Sequence, residues 1–465
     1  MPKTLFEKLW ALHQISDVEN GECLIFIDRM FLHERTGSIA LKGLEDEARA
    51  VKSPQHIFCT IDHIVDTTVG RGDETLMPNG KEFIVSTRQS AQSAGIRLFD
   101  IGDQDQGISH VVSAELGIAL PGSTLICPDS HTCTLGGIGA LAWGVGSTEA
   151  EHAMATNTLR IKKPKTMMVD FRGKLNQGVT AKDMILHLIS RHGTMGGSGF
   201  AVEFSGQAVS ELGIEARFTL CNMAVEFSAF TGLIAVDQST LNYIQERKFA
   251  PKGKDLEKAI THWNTLHTDI GAEFDRTITI QCEEIKPTVT WGTSPQHAIS
   301  IEDEIPHPKQ ETSSITANAM TRALTYMDLS PGMPMTSVKL DAAFIGSCTN
   351  ARLSDLRAAA QYLQDKTVAP WVSAVCVPGS TQVKVAAEAE GLDKIFLAAG
   401  FEWRESGCSM CFYAGGETFG KHKRVISTTN RNFEGRQGPG TRTHLASPLT
   451  VAASACKGYI AAAED

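Results

Sequence analysis

What the sequence lacks limits it first. No apolar run approaches the about 18 residues that a membrane helix needs, and the Gly-rich stretch around 135–146 is too short and too flexible to count. The N-terminus, Met1-Pro2-Lys3-Thr4-Leu5-Phe6-Glu7-Lys8-Leu9, lacks the charged-then-apolar order of a secretory signal. The chain therefore reads as cytoplasmic, with no membrane partner. Basic charge is also short: 43 Lys and Arg stand against 53 Asp and Glu, a formal net charge of −10. A nucleic-acid binder normally presents a basic face, so no nucleic-acid partner is expected. An anionic small molecule would need a local positive pocket to overcome the global field, which makes clustered arginines informative.

What is present is ordinary globular material. At 465 residues and 42% hydrophobic, the chain is long enough for roughly three domains of about 100–200 residues. It can bury a large core without disulfides or structural metals. Eleven cysteines, an odd number, do not suggest a disulfide framework in this compartment. Cys23, Cys59, Cys282 and Cys376 lie in apolar surroundings and read as small core residues.

Strand and helix signals alternate. Residues 123–127 (STLIC) predict a strand, followed at once by Pro128-Asp129-Ser130-His131, and Ser147-Thr148 opens a helix as its cap. Strand, polar turn and helix together place side chains at a strand's carboxyl end, where α/β proteins build sites. Lys163-Pro164-Lys165 marks a boundary, with a strand over 166–171 and a helix over 180–191. Prolines in 305–312 and 331–334 signal a linker within about 303–336. Beyond it, strands over 338–345 and 372–377 alternate with helices over 354–364, capped by Ser354, and 383–390. Repeated βα units imply largely parallel sheets. The expected domains are 1–163, 164–300 and 301–465.

Three cysteines stand apart. Cys348 lies in Gly346-Ser347-Cys348-Thr349-Asn350, between a strand and a helix, and Cys408 and Cys411 form a C-x-x-C. Small neighbours let the backbone approach a bulky inorganic group. Four readings compete: three buried structural thiols, a zinc ribbon lacking its second pair, a thioredoxin-type redox pair without its βαβ context, and three ligands of a cubane cluster with one open iron.

Residues 344–350 (FIGSCTN), 407–411 (GCSMC) and 430–436 (NRNFEGR) together resemble the cluster-binding domain of the aconitase superfamily. Residues 220–226 (LCNMAVE), 128–131 (PDSH), 60–63 (TIDH) and 106–110 (QGISH) match its earlier domains. Residues 3–9, 250–255, 289–293 and 387–396 resemble its two-subunit members acting on alkyl-substituted malates, one of which serves leucine biosynthesis. The similarity runs nearly end to end.

The resemblance implies a hydro-lyase of three α/β domains around an iron–sulfur cleft, lacking the superfamily's swivel domain. Cys348, Cys408 and Cys411 would hold a [4Fe–4S] cluster whose fourth iron has no protein ligand. Asp62 with His63, His110 with Asp129, and His131 with Glu226 would be the acid–base pairs. A carboxylate partner raises a histidine pKa and favours the protonated donor. Asn430, Arg431 and Arg436 would bind substrate carboxylates, with Ser130 and Asn222 as hydrogen-bonding groups nearby. The chain ends at Ala461-Ala462-Ala463-Glu464-Asp465, so the swivel piece, with its serine base and a further arginine, is expected on a small-subunit partner.

Three segments depart from the leucine-pathway pattern: 30–39, where Ile39 takes the place of a glutamine; 64–79, where Ile64 replaces an asparagine; and 412–417. These leave open a related hydratase for 2-methylmalate with citraconate, or for a dimethylmalate. A third class, an RNA-binding regulator acting without its cluster, lacks the basic stripe it would need.

Overall fold

Near-continuous apolar runs, such as the middle of Arg29–His33 and of Thr124–Cys127, are the mark of parallel strands covered on both faces, and both strands are buried. The computed structural model describes residues 1–463, in which strands and helices alternate. Glu464 and Asp465, the end of the segment on which the expectation of a missing swivel domain rests, lie outside the described residues.

The three larger sheets are parallel throughout. The first runs Arg97–Phe99, Ile57–Thr60, Arg29–His33, Thr124–Cys127, Leu141–Gly144. The second runs Thr231–Leu233, Phe200–Ser205, Lys165–Arg172, Arg276–Gln281. The third runs Phe401–Trp403, Ser373–Cys376, Ala342–Ile345, Arg424–Ser427, Arg442–Leu445. Each of the blocks 1–163, 164–300 and 301–465 contains the strands of one of these sheets. Packing groups the residues into two compact units. One comprises Met1–Val65, Gly72–Lys174 and Met195–Gln281; the other comprises Asp66–Arg71, Leu175–Thr194 and the chain from Cys282 onward.

In the first and third sheets the chain starts at the central strand, builds to one side, and then returns to build on the other. Such a reversal leaves a crevice at the carboxyl ends of the two central strands, because the loops leaving them diverge. Phe31, Phe58 and Phe99, on three successive strands of the first sheet, stack at 6.2–6.3 Å. Ala342, Phe344, Val375, Val377, Met410 and Val425 form a core cluster in the third. Cys23, Cys59, Cys282 and Cys376 are buried.

Several local expectations are corrected. Only Ala342–Ile345 of 338–345 is strand; Lys339 makes an isolated bridge to Tyr459. Ser354 does not cap its helix, which begins at Leu353, because Asp355 accepts the Arg352 N–H at 3.1 Å and does that work from the third position. Gly146 rather than a hydroxyl residue precedes Ser147–Thr156, its N–H bonded to Glu149 at 2.8 Å. The span read as linker holds the helix Ser314–Met327, started by Ser313 accepting from Thr316 N. Among the described residues no helix is long and apolar enough to cross a membrane.

Candidate active site

Three strands of the first sheet end in polar residues at the reversal. His33 closes Arg29–His33 and is followed by Glu34; Asp62 and His63 follow Ile57–Thr60; Asp129, Ser130 and His131 follow Thr124–Cys127. A Cβ on Gly144 would lie 2.5 Å from the Asp129 carbonyl oxygen, so only glycine lets the adjacent strand run beneath this turn. His110 comes from the helix Ser109–Glu115, and Glu226 from the turn Met223–Phe227.

These side chains form a chain of histidine–carboxylate contacts. His63 Nδ1 lies 2.6 Å from Asp62 Oδ1, and its Nε2 lies 3.3 Å from Asp129 Oδ2. His110 Nε2 is 2.9 Å from Asp129 Oδ1, and His131 Nε2 is 2.8 Å from Glu226 Oε1. Asp129 Oδ1 also accepts the His131 backbone N–H at 2.8 Å. Burial alone would lower the His63 pKa, but Asp62 and Asp129 outweigh it and hold the imidazole well above its ordinary value. Burial would raise Asp129, yet His110, His131 and His63 bring its carboxyl well below the usual range. Ser130 Oγ lies 3.4 Å from His131 Nδ1. Asn222 is buried and donates to Thr134 Oγ1 at 2.8 Å.

Two residues that sequence reasoning left unassigned belong here. Glu34 is fully buried; it accepts the backbone N–H of Asp62 at 3.1 Å, of His63 at 2.7 Å, and of Ile64. Burial first and the neighbouring Asp62 second push Glu34 up to about 7. His33 stacks on the His63 ring with centroids 4.0 Å apart. Burial, then the charge of His63, lower His33 to about 4, so a neutral ring backs a charged one. In sequence the two are only a polar pair ending an apolar strand run, which does not single them out. One ligand atom from each of His33, Glu34, Asp62 and His63 lies within 4.8 Å of the others. His63 and Glu34 are nevertheless committed to Asp62, Asp129 and the backbone amides, so the set is not an open metal centre. Ile39 is exposed on the helix Gly37–Asp46, in a groove shared with Lys42 and Phe83 rather than among these buried groups.

In the other unit, Cys348, Cys408, Cys411 and Asn430 all follow strands of the third sheet, and all are buried. A Cβ on Gly346 would lie 2.4 Å from the Phe344 ring, so its smallness serves strand packing first. Asn430 Nδ2 donates to Cys348 Sγ at 3.5 Å. Met410, inside the C-x-x-C, packs in the same core cluster as Phe344, which brings that turn over the strand leading to Cys348. The Met410 carbonyl accepts from Gln437 Nε2 at 2.9 Å, and Cys411 N donates to Cys408 O at 3.0 Å. Ser347 and Ser409 take left-handed φ values of 81° and 47°, turns that can direct successive N–H groups toward an anionic group. Arg436 is buried, with its guanidinium 4.5 Å from the Phe412 ring centroid; Arg431 is half-buried beside Asn430.

Lys182, also unassigned by the sequence reading, is wholly buried. Its Nζ donates to the carbonyls of Thr428 at 3.0 Å and Thr429 at 2.6 Å, immediately before Asn430. A donor on the Cys348 sulfur and left-handed turns beside Cys348 and Cys408 suit thiolates that hold an iron–sulfur cluster.

Comparison with known proteins agrees with this arrangement. Residues 7–458 match the aconitase family (aconitate hydratase). The chain is 49% identical over 459 residues to the 3-isopropylmalate dehydratase large subunit 1 of Bradyrhizobium diazoefficiens, covering 99% of this chain and 96% of that protein. Among solved structures, the holo-form of aconitase X from Thermococcus kodakaraensis matches with 13% identity and a TM-score of 0.47, over 88% of this chain and 84% of that one; so loose a likeness carries no argument. The family match across nearly the whole chain, together with the close relative, places this protein in the aconitase family of hydro-lyases.

Proposed function

We propose that this chain is the cluster-bearing large subunit of a 3-isopropylmalate dehydratase, interconverting 2- and 3-isopropylmalate by loss and return of water. The observation that carries the chemistry is His63, held charged between Asp62 and Asp129 at the crevice of the first sheet. The relative's name carries the substrate, at 49% identity over nearly the full length.

Cys348, Cys408 and Cys411 would hold the cluster, which when bound supplies an open iron as Lewis acid toward a substrate hydroxyl. Hydroxide leaves poorly unless protonated, and His63 is the proton donor for it. Asp62 orients that ring through Nδ1, and Asp129 favours its charged form. His110 and His131, each on a carboxylate, return protons to this array. Arg431 and Arg436 would neutralise the substrate's carboxylates, the positive patch that a chain of net charge −10 needs. Asn430 donates toward the cysteine sulfur and steadies the thiolate.

The test is anaerobic reconstitution with iron, sulfide and the small subunit, followed by a substrate panel. Turnover of 2-isopropylmalate is the expected result. Conversion of citraconate with no turnover of 2-isopropylmalate would overturn the leucine-pathway assignment while keeping the reaction class.

A further inference from the structure

The segment Asp66–Arg71 leaves the unit that holds its neighbours in sequence and packs in the unit that holds the cysteines. Thr67 is its anchor. It is fully buried, and its Oγ1 lies 2.9 Å from both carboxylate oxygens of Glu417 and 3.0 Å from Ser409 Oγ. A hydroxyl has one proton, so when Thr67 donates to Glu417 the Ser409 hydroxyl donates to Thr67. Thr67 N points to Glu417 Oε1 at 3.3 Å, and the Thr67 carbonyl accepts from Glu405 N at 2.8 Å. Glu417 is buried, and its Oε1 also accepts from Arg404 Nη1 at 2.9 Å. Arg71 donates to the Ser406 carbonyl.

Ser409 sits between Cys408 and Cys411 with φ 47°, a left-handed conformation that a residue other than glycine avoids unless its surroundings impose it. The hydrogen bond to Thr67 is such an imposition.

We propose that Thr67 and Glu417 are positioning residues that clamp Ser409 and thereby fix the spacing of Cys408 and Cys411. This rests on the reading of those cysteines as cluster ligands. They act through the shape of the turn.

Thr67→Val keeps the shape and removes the hydroxyl. In the reconstituted holoenzyme, iron should be lost on air exposure faster by on the order of tenfold, the worth of one charge-assisted hydrogen bond. The electron paramagnetic resonance line of the oxidised cluster should broaden. Thr67→Ser should restore both, and Ser409→Gly in the Thr67→Val background should slow iron loss again, because glycine adopts this φ unaided. Glu417→Gln serves as a second disrupting variant should Thr67→Val fold poorly. In the chain without iron, amide hydrogen exchange across residues 408–411 should quicken in Thr67→Val. Unchanged exchange and unchanged iron release would overturn the clamp, and failure of Ser409→Gly to compensate would overturn its route through Ser409. A wild-type chain that takes up no iron and sulfide would instead sink the cluster reading, with the exchange measurement still deciding the clamp.

Discussion

With Asp62 at 2.6 Å from one ring nitrogen and Asp129 at 3.3 Å from the other, His63 has a carboxylate at each end of its imidazolium. Its raised pKa means it contributes stability that is fully present below about 6.5 and lost as pH rises through its higher folded value. Asp129, with its pKa lowered, contributes stability present above about 3.9 and lost as pH falls through its folded value. The ion pair is intact between those limits, and there His63 is protonated and able to donate. Asp62→Asn keeps a hydrogen-bond acceptor at Nδ1 but removes a charge, so the His63 pKa should fall. The alkaline limb of the kcat/KM profile should move to lower pH by the same amount. An unmoved alkaline limb would show that His63 is not the titrating acid. His63 and Asp62 are neighbours in sequence, whereas the pairings of His110 with Asp129 and of His131 with Glu226 were implied by the family resemblance alone, since 19 and 95 residues separate their members. Glu34 could not be read from the sequence, because its partners are backbone amides of residues 62–64, and amides carry no signature there. His33 was hidden for a similar reason: a ring stacked on another ring looks, in sequence, like any polar residue ending a strand.

The helix Ala181–His192 shows how one element can hold another in place. Thr180 and Asp183 form a capping box at its start, and Asp183 also accepts Thr288 N at 2.8 Å, tying the helix to the strand Thr288–Thr290. Burial pushes Asp183 up to about 6 despite these donors. Lys182 extends from the first turn to the carbonyls of Thr428 and Thr429, fixing the loop that carries Asn430 and Arg431. Lys182→Met would fill the space but leave two buried carbonyls without these donors, at a cost of about 2–4 kcal/mol. Hydrogen exchange should therefore accelerate together in residues 181–192 and 428–436 while the first sheet stays protected. Protection that is unchanged in the loop would show that the lysine does not anchor it. The helix itself was legible, since its cap and apolar spacing are local. The lysine's role was not: it depends on carbonyls 246 and 247 residues away in the chain. Strands were legible where apolar residues ran together, and overextended where they did not. Val338 and Lys339 continue the apolar alternation into Ala342–Ile345, but the neighbouring strand Ser373–Cys376 pairs only as far as Ala342, so the ladder stops there.

Across the whole molecule, the described acid–base array is better at giving protons than at taking them. Asp62 and Asp129 are held below the ordinary carboxylate range by the histidines they face, and a carboxylate with a depressed pKa is a weak base. Glu34 is occupied by three amides and Glu226 by His131. Dehydration of a 2-hydroxy dicarboxylate also needs a base strong enough to take a carbon-bound proton next to a carboxylate, and neither Asp62 nor Asp129 is one. The relative's designation as a large subunit fits that gap, since a small subunit can bring the missing base. The chain carrying a full cluster but no partner should therefore bind substrate and fail to turn it over. Adding the small subunit should raise kcat in a saturable way from a baseline lower by about 10²-fold or more, the usual contribution of a positioned base. Substrate binding to the chain alone, measured calorimetrically, separates this from simple failure to bind: binding without turnover is what a site complete in its acid but lacking its base requires, and turnover at the full rate without the partner would mean that one of the carboxylates described here is a far stronger base than its surroundings allow.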